Sequence, residues 1–160
     1  MIVLLNKWDL IEKGDKSFDH IVKEMKDKAI DLEHIPIVSI SAETGQRTHK
    51  IIDMLLEVYN NCFTVLGRDA VVEIFHKAII DNPHPARASK PILMTRACQT
   101  IVNPVVVGIE VNFPELVDES WKRYFLRRLR KEFPLSGAPL KLNLDKKLAL
   151  RKDEELERIT

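Results

Sequence analysis

The stretch Met1-Ile2-Val3-Leu4-Leu5-Asn6-Lys7-Trp8-Asp9 decides how the rest of the chain is read. Five apolar, mostly branched residues run without interruption and then stop at four residues that are polar or carry a polar group. A continuous apolar run of this length fits a strand buried on both faces of a parallel sheet. The abrupt stop puts Asn6 to Asp9 in the loop at the strand's carboxyl end, where open α/β sheets hold their ligands. The pattern recurs at Ile35 to Ile40, a second short buried strand followed by Ser41-Ala42-Glu43-Thr44-Gly45. Between the two, Phe18, Ile21, Val22, Met25, Ala29 and Leu32 keep helical spacing, with Asp15 as the cap and an end near Asp31. After the second loop, Thr48, Ile51, Ile52, Leu55, Leu56 and Tyr59 form the core-facing stripe of another amphipathic helix. Strand, helix, strand, helix in this order is a right-handed crossover unit.

The two loops carry a specific chemistry. Asn6-Lys7-Trp8-Asp9 directly after a buried strand suits guanine, because an ionised carboxylate only accepts hydrogen bonds and guanine presents two adjacent donors that adenine lacks. Asp9 is the reader of that pair. Lys7 can lay its methylene stem along the base, and the Asn6 amide, able to donate and accept, can tie its loop to neighbouring ones. In the second loop a small residue, Ala42, allows a backbone N–H to approach the base carbonyl, while the Ser41 hydroxyl braces the turn from beneath. The alternative is a pair of solvated strand-end turns.

Asn60 to Gly67 follows neither periodicity cleanly and coincides with a change of charge sign, so the boundary between two units falls there. Residues 1–67 hold 8 Lys+Arg against 11 Asp+Glu, a net of −3, and residues 68–160 hold 17 against 13, a net of +4. From Arg68, the residues Val71, Val72, Phe75, Ala78 and Ile79 make a helical stripe that Asn82-Pro83-His84-Pro85 terminates, and a polar loop continues to Lys90. Ile92 to Gln99 and Val105 to Asn112 read as strands joined by the Asn103-Pro104 turn and paired antiparallel. Asp118 caps a helix that runs through Phe133, and Leu140 to Leu144 alternates as a half-buried last strand. The second unit is α-β-β-α-β. Beyond Lys147 the sequence is charged and has no obvious partner element.

The helix from Asp118 is basic. Trp121, Tyr124, Phe125, Leu129 and Phe133 fall on one arc and belong to the core, while Arg123, Arg127, Arg130 and Lys131 share the opposite arc. Such a ridge can grip phosphates, or it can simply solvate a helix face. Other chemistry finds no support. The five histidines make no metal-ligand pattern, and no G-x-S-x-G stands in the chain. Asp53 and Glu57 are an i, i+4 pair on a solvated helix face. Cys62 and Cys98 read as buried free thiols. No apolar run approaches the ~20 residues that cross a bilayer, so the reading is a cytoplasmic protein with no membrane partner.

Taken together, the motifs resemble the ribosome-assembly GTPase family Der, also called EngA, which has tandem G domains followed by a KH-like domain. The resemblance runs from Ile2 to about Lys147 and rests on Asn6-Lys7-Trp8-Asp9-Leu10, Ser41-Ala42-Glu43-Thr44-Gly45 and Asn82-Pro83-His84-Pro85 in that order. Arg96-Ala97-Cys98-Gln99, Ser120-Trp121-Lys122-Arg123-Tyr124 and Gly137-Ala138-Pro139-Leu140 extend it. It implies an α/β chain: an incomplete P-loop-type GTPase half-domain over residues 1–62, a KH-like α-β-β-α-β domain over 68–147, and a charged tail over 148–160. It also implies Asn6, Lys7, Asp9, Ser41 and Ala42 in a site for GTP or GDP, and the large ribosomal subunit, through ribosomal RNA or protein, as partner of Arg123, Arg127, Arg130 and Lys131.

The departures from the family shape the expectation. No G-x-x-x-x-G-K-[ST] loop is present, so this chain has no phosphate cradle, and magnesium would come only with the upstream G-domain segments. Hydrolysis by this chain alone is not expected. Two hydrogen bonds to a carboxylate contribute about 3–6 kcal/mol, against an association cost of about 4–15 kcal/mol, so base contacts alone bind weakly. The first strand also lacks an expected neighbour, which leaves an open edge and points to a piece of a longer protein. None of the five glycines forms the G-x-x-G clamp of RNA-binding KH modules. The other reading is therefore a nucleotide-independent KH-like module that binds protein or structured RNA.

Overall fold

Val3–Leu5 (β1) and Ile37–Ser39 (β2) lie side by side and parallel, Val3 opposite Ile37 and Leu5 opposite Ser39. Parallel neighbours require a crossover, and Phe18–Lys28 (α1) lies on it. Lys50–Asn61 (α2) follows. The computed structural model describes residues 1–11, 18–29, 32–83 and 91–148. The chain divides into two units, the first Met1–Asn61 with Leu135–Ala138, the second Cys62–Pro134 with Pro139–Thr160. The first has the strand-helix-strand-helix order of the half-domain. The Asp15 cap and the Asp31 helix end fall outside the described residues.

Two expectations for this unit need correction. β1 is not buried on both faces: none of its three residues is buried and Leu4 is 39% exposed. Its sheet has two strands among the described residues, so one edge and much of one face have no cover. In α2, Val58 is buried and Ile51 and Met54 are half-buried. Ile52, Leu55, Leu56 and Tyr59 do not face a core; they are 64%, 51%, 57% and 61% exposed. A helix apolar around most of its circumference is built for cover on more than one side, and this unit covers one.

Leu135–Ala138 completes the first unit at the price of a tight fit. Gly137 has φ +69°, and a Cβ there would sit 2.6 Å from Val58 Cγ2 and 2.8 Å from the Met1 carbonyl oxygen. Its N–H donates to the His34 carbonyl at 2.9 Å, and the Asn61 amide donates to the Ser136 carbonyl at 3.0 Å. Only glycine combines a left-handed φ with that close an approach.

The second unit runs Arg68–Asp81 (α3), Met94–Ile101 (β3), Val105–Val111 (β4), Glu119–Glu132 (α4) and Leu140–Asp145 (β5), the α-β-β-α-β order of a KH-like domain. β4 is central, antiparallel to β3 and parallel to β5, with Ala97 opposite Ile109 and Val105 opposite Leu140. α4 supplies the crossover that the parallel pair needs. Val105, Val107 and Ile109 are fully buried, and Val111 nearly so. The helices add Val71, Ile74, Phe75 and Ala78 from α3 and Trp121, Phe125 and Leu129 from α4. Phe125 stacks on Trp121 at 5.5 Å between centroids and meets Phe75 edge-on at 6.1 Å, each pair adding about 0.5–1.5 kcal/mol beyond area burial. The Trp121 indole N–H donates to the Asn82 carbonyl at 2.9 Å, just where α3 ends before Pro83.

Here too the structure departs from the sequence reading. Asp118 occupies the N-cap position of α4 but makes no side-chain cap hydrogen bond. β3 begins and ends two residues later than expected, with register shifts near both ends. Cys62 and Cys98 are free thiols but only half-buried. The charged end of the chain does have a partner element at its first residue: Leu148 is buried, at 6% exposure. The polar loop through Lys90 is outside the described residues except at its first two positions.

Candidate functional site

The loops after β1 and β2 leave from the same end of a parallel pair, so the chain places them side by side. Lys7 turns the backbone sharply, at φ 61°, and Trp8–Leu10 forms a short 3-10 turn that carries the exposed Asp9. The Ile40 N–H donates to the Leu5 carbonyl at 2.9 Å and the Trp8 N–H to the Ile40 carbonyl at 3.0 Å, continuing the pairing past the strand ends. The Trp8 ring packs edge-on against Phe18 of α1, 5.6 Å between centroids.

Asn6 joins the loops. Its Oδ1 accepts the Lys7 N–H at 2.8 Å and the Ala42 N–H at 3.1 Å. This is the tie its amide chemistry allows, and it occupies one N–H, that of Ala42, in the loop where the sequence reading expects a backbone N–H to face a base carbonyl. Ser41 is fully buried; its Oγ accepts the Thr44 N–H at 3.2 Å and its N–H donates to the Gln46 carbonyl at 3.1 Å. Gly45, at φ 74°, lets the loop turn, and the Thr48 hydroxyl donates to its carbonyl at 2.9 Å. Arg47 was not anticipated: it too is left-handed, at φ 59°, and its guanidinium donates to the buried Ser39 hydroxyl at the end of β2. A positive-φ arginine leaves no local sequence signal of that kind. Asp9 makes no hydrogen bond or ion pair among the described residues, and it is exposed.

On α4 the four predicted phosphate contacts divide. Arg123, Arg127 and Lys131 are exposed, whereas Arg130 is half-buried, and burial lowers its pKa from the ordinary guanidinium value. The ridge is narrower than its spacing suggested. Arg128, which lies outside the predicted basic arc, donates to the Asp81 carboxylate and, at 2.7 Å, to the Tyr124 hydroxyl, and lies over the Tyr124 ring. Those partners raise its pKa, the Asp81 hydrogen bond most. Tyr124 is thus a half-buried platform for Arg128 and not a fully buried core residue. The exposed pairs Glu73–Lys77 and Glu119–Lys122 neutralise charge beside the ridge; each lowers its glutamate's pKa.

Comparison with known proteins agrees with this architecture. Residues 67–144 match the family described as the KH-domain-like of EngA bacterial GTPase enzymes, C-terminal. The second unit is thus a KH-like domain of that class. The chain as a whole is similar to proteins named GTPase Der: 35% identical to that of Campylobacter curvus over 97% of this chain and 33% of the relative. It is 34% identical to that of Nitratiruptor sp. over 98% of this chain and 33% of the relative, and 32% identical to that of Clostridium acetobutylicum over 89% and 32%. The chain is similar to Der (EngA) proteins along nearly its whole length, and it spans about a third of the length of the curated relatives it matches.

Proposed function

We propose that this chain acts as the C-terminal portion of a Der/EngA-type GTP-binding protein that takes part in building the large ribosomal subunit in the cytoplasm. Residues 1–62 supply guanine-base recognition through Asn6, Lys7, Asp9, Ser41 and Ala42, and residues 68–147 dock on ribosomal RNA or protein. The observation that carries this reading is the bridge from Asn6 Oδ1 to the Ala42 N–H, which joins the two loops whose residue types suit a guanine base. Phosphate binding, magnesium and hydrolysis belong to upstream G-domain segments, which would also cover β1 and the exposed face of α2.

The experiment joins this chain to the upstream two-thirds of a Der relative and measures GTP and ATP binding, with Asp9→Asn beside the parent. GTP binding that Asp9→Asn weakens is the expected result. The second reading is a nucleotide-independent KH-like module, in which the Asn6–Ala42 bond only holds two solvated turns of a scaffold together. GTP affinity unchanged by Asp9→Asn, with ribosomal RNA binding indifferent to nucleotide, would establish that reading and remove the first.

A further inference from the structure

β2 ends on a buried hydroxyl, that of Ser39, which is 1% exposed. A buried hydroxyl needs a partner, and the Arg47 guanidinium, eight positions further on, donates to it. The backbone around Arg47 is committed as well. Its carbonyl accepts the Lys50 N–H at 3.1 Å where the chain enters α2, and the carbonyl just before it, that of Gln46, accepts the Ser41 N–H at 3.1 Å and closes the turn that holds Ala42. Arg47 therefore ties together the end of β2, the closure of the second loop and the start of α2. It does so at φ 59°, a region where glycine is at ease and a side chain is disfavoured. Residues that their surroundings hold in such sparse regions gather at ligand sites. Arg47 stands directly after the Ser41-Ala42-Glu43-Thr44-Gly45 loop.

We propose that Arg47 is a positioning residue for guanine: its bond to Ser39 fixes the turn Ser41–Gln46 so that the backbone of the turn meets the base carbonyl while Asp9 reads the paired donors. This rests on the guanine reading of the two loops and adds to it a residue that neither loop motif contains. Arg47 acts through the turn and does not touch the base. Recognition of the base is then divided between two devices, a carboxylate for the donors and a braced turn for the carbonyl, and each can be removed without the other.

The brace is tested first on the chain itself, by hydrogen exchange at the Ser41 amide. Arg47→Gly keeps the left-handed turn at no steric cost and removes the guanidinium, so it is expected to speed that exchange on the order of tenfold with unchanged far-ultraviolet circular dichroism. Ser39→Ala is expected to match it, and the two together to add nothing further. Exchange that stays at the parent rate in Arg47→Gly would overturn the proposal. The protein joined to the upstream two-thirds of a Der relative then binds GTP, ITP, which keeps the carbonyl and ring N–H of guanine and lacks its exocyclic amine, and ATP, which has an amine in place of the carbonyl. Arg47→Gly is expected to weaken GTP and ITP by the same factor, on the order of tenfold, and to leave ATP unchanged. Asp9→Asn is expected instead to narrow the gap between GTP and ITP. ATP weakened as much as GTP would mean general damage and end the positioning role. GTP affinity that Asp9→Asn lowers and Arg47→Gly does not would refute this inference and leave the guanine reading standing, whereas GTP affinity indifferent to Asp9→Asn would remove both.

Discussion

Leu66 gives its backbone N–H to the side-chain oxygen of Gln99 at 2.7 Å, and both residues are buried. The other end of the same amide donates to the Thr64 carbonyl at 3.0 Å. Gln99 thus holds the extended segment before α3 against β3 through both of its polar atoms. Gln99→Leu keeps the volume but removes both bonds and leaves a buried N–H without an acceptor. It is expected to destabilise the second unit by about 2–4 kcal/mol, read as a lower urea midpoint with an unchanged slope.

Gly137→Ala must place a methyl group against Val58 and the Met1 carbonyl while holding a left-handed φ. The expected loss for the first unit is about 2–4 kcal/mol, seen in thermal unfolding. Gly67→Ala is the control. It stands at the N-cap of α3 with ordinary dihedrals and no atom within 4 Å of an added Cβ, so its effect is expected to stay within about 1 kcal/mol.

Asn6→Ala cuts the bridge between the two candidate nucleotide loops, at an expected cost of about 1–2 kcal/mol. Hydrogen exchange at the Ala42 amide should rise most. Asn6→Asp keeps an acceptor and should retain most of the amide's protection. Equal exchange in all three proteins would show that the bridge does not hold the loops together.

The Leu148 N–H donates to Glu110 Oε2 at 3.3 Å and the Thr95 hydroxyl to Oε1 at 3.0 Å, which ties the backbone after β5 to acidity. The Thr95 hydroxyl first, and then the Leu148 N–H, hold its carboxyl below the ordinary value of 4.5; Arg96 and Lys147 act in the same direction, against desolvation. A depressed folded-state pKa means that its stabilisation is complete above the unfolded-state value and is lost as pH falls through the folded one. Exchange at the Leu148 amide should therefore accelerate, after correction for intrinsic rates, as the solution is acidified below about 4.5. Glu110→Gln should flatten that dependence.

For RNA, the exposed pair Arg127 and Lys131 makes a cleaner test than one that includes half-buried Arg130. Arg127→Ala with Lys131→Ala is expected to weaken binding to ribosomal RNA and to lower the slope of log affinity against log salt by about 1–2. An unchanged slope would remove these residues from the interface. Arg130→Ala is expected to lower stability as well, because its stem is packed.

The order of elements was legible because it rests on local periodicity. The apolar run ending at Leu5, the helical stripe of α3 and the alternation of β5 each state their own structure, and the loop motifs mark where strands stop. Exposure in the first unit was not legible. Ile52, Leu55, Leu56 and Tyr59 carry the spacing of a buried face, and spacing does not say whether the element that would bury them is present. The same limit applies to Arg130, whose place on a polar arc predicts solvent while the packed helix half-buries it.

What the sequence settled alone was element type and the chemistry of side chains at strand ends, because backbone propensity and donor–acceptor identity are properties of near neighbours in the chain. Only the tertiary structure decided that Gln99 serves Leu66, that Gly137 fits against Val58, that Asn6 reaches Ala42 and that Leu148 reaches Glu110. Those pairs are separated by tens of residues, and whether their atoms meet depends on register and close approach, which no local pattern encodes.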